Sequence, residues 1–236
     1  EADAPRGLTD LAADAGLPKS TASRLLGALE RHGLVEQQGE RGRFRAGPVL
    51  VRYAGRGAAG RNLAELAERP MAALAEATGE TINLAVAGPT GVEHLAQVES
   101  RHFLGTTQWV GRRVPYHASA NGKVLLAFGA ARLPEDSTLE PLTSRTLVDP
   151  ILLERELEAV EREGLASATD ELELGLSAVA APVHDETGRV IAALSVSGPT
   201  LRLTPRRIGE LRPVVIKQAR ALSKQLGHRP EGVHAQ

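Results

Sequence analysis

Ser20, Arg24, Gly27 and Arg31 recur at spacings of four, three and four, which aligns them along one side of a helix. That side is small, hydroxylated and cationic. Small residues allow close approach to a groove, and Arg bonds a phosphate or the edge of a guanine. Ala22, Leu25, Leu26 and Leu29 follow i, i+3, i+4, i+7 on the other side, a stripe expected to be buried. A short helix from Thr9 to Ala15 precedes it, stopped by Gly16, with Pro18 after the stop. Thr9 is the expected cap of the first helix, and Ser20 or Thr21 of the second. Two helices so joined form a helix-turn-helix. Gly33 ends the second. Leu34 to Gln37 and Arg43 to Ala46 then read as strands around a Gly39 to Gly42 turn, a hairpin with Arg41, Arg43 and Arg45 at or near its tip. The candidate DNA contacts are Lys19, Ser20, Thr21, Ser23, Arg24 and Arg31 on the helix, and Arg41, Arg43 and Arg45 against backbone or minor groove. The competing reading is a surface helix beside a solvated hairpin.

A second group lies near the other end. From Val190 to Ser197 the residues alternate: Val190, Ala192, Leu194 and Val196 share one face, and Ile191, Ala193, Ser195 and Ser197 the other. Two hydroxyls on an otherwise apolar strand need partners, because a buried unpaired hydroxyl costs about 1–3 kcal/mol. Those partners are either a polar ligand or neighbouring backbone and water. Ala118-Ser119-Ala120-Asn121-Gly122 places small side chains at a helix start, where free N–H groups and a partial positive charge suit an anion. A close-packed helix start explains the same residues equally well.

Enzyme chemistry finds little support. The seven histidines show no paired metal spacing, and there is no HExxH. Glu93-His94 and Glu99-His102 read as surface strand residues. Gly175 to Val179 lacks the final Gly of GxSxG. Gly55 to Gly60 spells GxGxxG, but a helical stretch precedes it where a dinucleotide site needs a strand. No cysteine is present, which excludes disulfides, thiolate metal sites and Cys nucleophiles. No cofactor or metal is expected.

The rest of the chain must position these groups. Its 236 residues are 42% hydrophobic, enough for one large or two modest domains with a real core. Net charge is −1, which excludes a uniformly basic nucleic-acid coat. The charge is uneven, however: from Leu17 to Arg56 eight cations face three carboxylates, net +5, leaving −6 elsewhere. Aromatics are only 3%, too few for base-stacking platforms. No apolar run reaches the roughly 18 residues of a membrane span. No secretory leader is visible, and the lack of cysteine suits a reducing compartment, so a cytoplasmic location is expected. Glu1 is not Met, and natural sequence is expected before it.

Val49 to Arg61 reads as a flexible or helical linker. Asn62 to Thr78 reads as an amphipathic helix, with Leu63, Leu66, Met71 and Leu74 inward and Pro70 kinking or restarting it. Thr81 to Ala87 and Val92 to Val98 form a hairpin, and Phe103 to Trp109 reads as a third strand. A helix starts near Ala118. Asp149-Pro150 caps another lined by Leu153, Leu157 and Val160 and ended by Gly164. Leu176 to His184 pairs with the Val190 strand around Asp185-Glu186-Thr187-Gly188. Thr204-Pro205 caps a final helix with Ile208, Leu211, Val215, Leu222 and Leu226 inward. Hairpins interleaved with helices, without a βαβ repeat, predict an α+β domain whose helices cover one face of an antiparallel sheet.

Leu8 to Pro48, "LTDLAADAGLPKSTASRLLGALERHGLVEQQGERGRFRAGP", resembles the winged helix of IclR-type bacterial transcription regulators. "VPYHASANGKVLLA" and "GLSAVAAPVHDETGRVIAALSVSGP" resemble their GAF-like effector domain. The likeness covers nearly the whole chain in order. It implies a winged helix-turn-helix over 1–48, a linker helix used in dimerisation over 49–61, an effector-binding domain over 62–228 and a tail over 229–236. Family members usually carry one more helix upstream, so the first helix is expected to be missing here. Carried over position by position, the effector pocket falls on Phe103, Thr106 and Thr107, on Ala120 and Asn121, on the Thr169, Asp170 and Glu171 loop, on Ala178, and on Ser195 and Ser197. Asn121 departs from the small apolar residue common there, and Ala178 offers no side-chain hydrogen bond. The resemblance implies a ligand-responsive regulator, not an enzyme, whose small polar or carboxylate effector modulates binding to a double-stranded operator. A homodimer or dimer of dimers on a palindrome is expected, with no membrane partner. The alternatives are a sensor or scaffold module without a DNA role, or an enzyme on a GAF-like fold.

Overall fold

The computed structural model describes residues 6–38, 42–102, 108–134 and 137–229, and for Gln38 and residues 48–62 the backbone alone. The chain divides into two compact units, Glu1–Asn62 and Leu63–Gln236.

In the first unit, β1 (Arg6–Gly7) leads into α1 (Leu8–Asp14) and α2 (Lys19–Arg31), followed by β2 (Val35–Gln38) and β3 (Arg43–Ala46). The three strands form an antiparallel sheet in the order β1-β3-β2. Strand β1 was not foreseen, being too short to show periodicity. The expected caps are corrected. Gly7 and Pro18 occupy the cap positions without side-chain hydrogen bonds, so Thr9, Ser20 and Thr21 lie within first turns. The apolar stripe of α2 is only partly covered. Ala22 is buried, but Leu25 is 49% and Leu29 39% exposed. Periodicity identifies an apolar face, while burial requires a neighbour that spacing along one helix does not supply.

The expected linker and following helix are one element, α3 (Pro48–Thr78), 31 residues long with Pro70 inside it. Leu63, Met71 and Leu74 are buried as expected, and Leu66 packs beside them.

Among the described residues, the second unit is built on a six-stranded antiparallel sheet. Its strands are β4 (Thr81–Ala87), β5 (Val92–Val98), β6 (Arg113–Val114), β7 (Ala166–Thr169), β8 (Leu176–His184) and β9 (Val190–Pro199), in the order β6-β5-β4-β9-β8-β7. The remaining helices are α4 (Ala120–Ala127), α5 (Pro150–Glu163) and α6 (Pro205–Gln225). Alternation and turn residues make β4, β5 and β8 legible to the residue. The Asp149 side chain accepts from the N–H groups of Ile151 and Leu152, and Gly164 ends α5 in the left-handed conformation. Thr204 caps α6 in the same way.

Helices cover both faces of this sheet, not one. On one face α3 and α6 bury Met71, Leu74, Leu211, Val215 and Leu222 against Ile82, Leu84, Leu194 and Val196. On the other, Val124 and Leu125 of α4 and Val160 of α5 pack with Ala85, Ala180 and Ala193. Each face supplies its own apolar layer, so both carry hydrophobic stabilisation. Three further expectations are corrected. Trp109 lies outside any strand, while 103–107 fall outside the described residues. Helix α4 starts at Ala120, not near Ala118, because Ser119 caps it. Thr169 ends a strand, β7, that its small side chains did not announce.

Candidate functional site

In the first unit, Lys19, Ser20, Thr21, Ser23, Arg24 and Arg31 are all exposed on α2, as are Arg43 and Arg45 on β3. Gly27 has no heavy atom within 4 Å of where a Cβ would stand, so the middle of this face is open. Arg41 lies outside the described residues. Arg45 is held across the hairpin by Glu36, its register partner. Sequence spacing did not reveal that pairing.

The second unit holds a hollow of about 430 Å³, its mouth included, between the sheet and the start of α4. Strand pairing assembles its floor. Asn83 on β4 lies opposite Ser195 on β9, and Ser197 lies opposite both Thr81 and Ala178. Antiparallel partners face the same side, so Asn83, Ala178, Ser195 and Ser197 come together. Asn83 Nδ2 donates to Ser197 Oγ at 2.9 Å. The open choice for this hydroxyl is thereby partly answered: it has a side-chain partner in the protein, and it still lines the hollow.

Helix α4 closes another side through Ala118, Ser119, Ala120 and Asn121. Ser119 Oγ accepts from Gly122 N at 3.1 Å. A Cβ on Gly122 would stand 2.1 Å from the Tyr116 carbonyl oxygen, so only glycine lets the helix start press onto that turn. The N–H groups of Ala120 and Asn121 are in the first turn, where a helix leaves donors without internal partners.

His94 was expected at the surface. It is 8% exposed and lines the hollow. A bulge explains this. Leu84 pairs with Ala96 and Ala85 with His94, leaving Leu95 without a partner. The extra residue inverts the alternation, so His94 joins Gln97 on the pocket side although they are three apart. Its Nε2 stands 3.4 Å from Asn121 Nδ2, and its ring lies 6.1 Å from that of Trp109. Burial lowers its pKa to about 4, so the imidazole is neutral near pH 7. A similar irregularity between Val183 and His184 corrects the expected faces of β9, putting Val190 in the pocket-side core and Ile191 against the other.

The Thr169, Asp170 and Glu171 segment does not line the hollow itself; Ala168 and Leu172 on either side do. Asp170 has φ +59, and its Oδ1 accepts from Gly175 N and Thr200 Oγ1, both at 2.8 Å. These bonds hold the loop. Glu171 meets the fully buried Lys123 at 2.7 Å, and Glu156 meets the same ammonium at 2.6 Å. Burial raises the Glu171 pKa against the pull of Lys123. Sequence reasoning missed this triad, whose partners lie 33 and 48 residues from Lys123. Phe103, Thr106 and Thr107 fall outside the described residues. Of the remaining candidates, Ala120, Asn121, Ala178, Ser195 and Ser197 line one hollow. Asn83, His94 and Trp109 were not foreseen. The alternating β4 face that holds Asn83 was the one available signal.

Among the described residues no cluster of three or more His, Asp or Glu could hold a metal ion. Among them also, no helix is long and apolar enough to cross a membrane.

A helix-turn-helix with a basic hairpin, together with an α+β domain holding a mostly apolar hollow with a few buried polar side chains, defines a DNA-binding transcriptional regulator that answers to a small ligand. Residues 1–39 match the IclR helix-turn-helix domain, and residues 57–224 match the C-terminal domain of bacterial IclR transcriptional regulators. The chain belongs to the IclR family. It is 34% identical over 233 residues to the transcriptional repressor IclR of Escherichia coli K12, covering 96% of this chain and 85% of that one. An IclR-type regulator structure from Silicibacter sp. TM1040 superposes with TM-score 0.69 at 27% identity, covering 96% of this chain and 91% of that one. An IclR homologue from Microbacterium hydrocarbonoxydans, solved with 4-hydroxybenzoate, superposes with TM-score 0.64 at 28% identity, covering 94% and 91%. These relatives are transcriptional regulators.

Proposed function

We propose that residues 1–48 read an operator and that residues 62–228 sense a small polar or carboxylate metabolite whose binding changes operator affinity. Lys19, Ser20, Thr21, Ser23, Arg24 and Arg31 of α2 enter the major groove, and Arg41, Arg43 and Arg45 meet backbone or minor groove. The effector occupies the hollow beside α4, with Ala120, Asn121, Ala178, Ser195 and Ser197 from the original set, joined by Asn83 and His94. Thr169, Asp170 and Glu171 act as its frame. The observation that carries this reading is the cluster of buried polar atoms at the hollow without protein partners: Asn83 Oδ1, His94 Nδ1 and Asn121 Oδ1. Buried polar atoms are normally satisfied, and a ligand supplies what these lack. The 4-hydroxybenzoate held by the Microbacterium homologue supports a ligand of this size class.

One small winged domain buries little DNA, so two copies act together, as a homodimer or dimer of dimers on a palindrome in the cytoplasm. Differential affinity of the effector for two arrangements of the assembly shifts DNA binding by about 1–3 kcal/mol. Mobility shift against graded salt tests the DNA half. Arg24→Ala is expected to weaken operator binding by about 1–3 kcal/mol and to relax discrimination at the base it reads. Binding insensitive both to salt and to Arg24→Ala rejects it.

A further inference from the structure

Among the described residues, His94 is the one side chain lining the hollow that can gain a positive charge. It is 8% exposed, its Nδ1 has no partner, and its Nε2 stands 3.4 Å from Asn121 in the first turn of α4. The ring and the partial positive charge of the helix start thus converge on one spot.

The charged groups around this spot lie outside the hollow. Glu93 and Arg113, register partners across β5 and β6, project from the other side of the sheet, since neighbouring strand residues alternate. Lys123 of α4 is taken up by Glu156 and Glu171. Arg112 stands 6.0 Å from the Trp109 ring centroid and does not line the space. β4 and β9 present only the uncharged Asn83, Ser195 and Ser197. None of the charges sets the protonation of His94; burial alone holds its pKa at about 4.

A carboxylate entering the hollow brings a full negative charge, and a helix start offsets only about half of one. Taking an unbalanced charge out of water is costly enough that a neighbouring group changes its protonation instead. His94 is placed to do this. Its protonated ring donates from both nitrogens. Turning the Asn121 amide over lets its unpartnered Oδ1 accept from Nε2–H and leaves Nδ1–H as a donor to the anion.

We infer that the effector is a carboxylate taken up together with one proton, which His94 holds, so that binding in the hollow tightens as the pH falls. This rests on the hollow being the effector site. The free protein keeps His94 neutral above about pH 4, and the complex keeps it charged to a higher pH. Between those limits affinity falls about tenfold per unit of rising pH, because the complex carries one proton more.

Titration calorimetry on the full chain tests this with benzoate, 4-hydroxybenzoate and the straight-chain carboxylates from acetate to hexanoate, each beside its neutral amide. At pH 6.5 the heats in PIPES and ACES, buffers of different ionisation enthalpy, count the protons exchanged. At least one carboxylate is expected to bind with uptake of close to one proton, and to weaken about tenfold from pH 5.5 to pH 6.5. Its amide is expected to exchange none. His94→Gln still hydrogen-bonds but cannot ionise, so it is expected to abolish the uptake and flatten the pH profile. Operator binding without ligand at the wild-type level shows that this variant is folded. Carboxylate binding without proton uptake overturns the inference. So does uptake that persists in His94→Gln, and so does silence from every carboxylate at millimolar concentration. Mobility shift with the same probes keeps the two ideas apart. A carboxylate that binds with a proton on His94 and leaves operator affinity unchanged refutes the regulatory reading alone. A carboxylate that alters operator affinity equally at both pH values, with no proton uptake, refutes the proton inference alone.

Discussion

Replacing Lys123 with methionine is expected to cost about 3–5 kcal/mol of folding free energy at pH 7, the range for removing one partner of a buried ion pair. Lys123 is fully buried, and its ammonium donates to Glu156 at 2.6 Å and Glu171 at 2.7 Å, with the Ser167 carbonyl at 3.4 Å. Methionine fills the same space and removes the charge. Two carboxylates then face each other, and the Glu171 side chain is only 13% exposed. The loss is expected to shrink toward pH 5. Burial already raises the Glu171 pKa, so its carboxyl takes up a proton readily once the cation is gone. Urea denaturation of wild type and Lys123→Met at both pH values measures this. Lys123→Met combined with Glu156→Gln and Glu171→Gln is expected to recover much of the loss, because swapping a whole buried ionic set for neutral groups is far cheaper than breaking it. A single variant as stable as wild type at pH 7 would show that the triad is energetically idle.

The second large effect is acid destabilisation through His94. Its pKa is lowered from 6.5 to about 4 by burial. The unfolded chain therefore takes up a proton near pH 6.5 while the folded chain resists until about pH 4. Stability from this residue is complete above pH 6.5 and falls as the pH drops toward 4. At pH 4.5 the accumulated loss is roughly 2–3 kcal/mol for this group alone. His94→Gln has nothing to titrate there, so the difference in stability between variant and wild type is expected to move in the variant's favour by that amount between pH 7 and 4.5. Denaturation midpoints at the two pH values, with the denaturant slope checked for constancy, give the comparison. A difference independent of pH would mean that His94 is solvated in the folded protein.

What the residues disclosed in advance follows the range of the forces involved. Strands β4, β5 and β8, the caps Asp149 and Thr204, and the turn at Asp185 are set by residues within a few positions, and all were legible. Short strands β1 and β7 were not, because two residues show no period and Ala166 to Thr169 is small throughout. The floor of the hollow was half visible: Ser195 and Ser197 announced a polar face, and Asn83 shared a periodicity that nothing in the chain tied to theirs. Only the β4–β9 pairing joins them, across 114 residues between Asn83 and Ser197. His94 was misplaced because a bulge inverts alternation without a local mark. Nothing near Lys123 in the chain marks it for burial, since its partners come from α5 and from the loop after β7. Leu25 and Leu29 show the opposite error, an apolar rhythm mistaken for cover.

The central sheet sorts its side chains by parity. Leu84, Leu194 and Val196 belong to the layer under α3 and α6, while Asn83, Ser195 and Ser197, their immediate chain neighbours, face the hollow. Under the proposed effector site, what the fold requires and what a ligand would touch are written on alternate letters of the same strands. Selection can rewrite the chemical vocabulary of the second set one letter at a time, leaving the first untouched, so a single scaffold can be retuned to new metabolites by point changes.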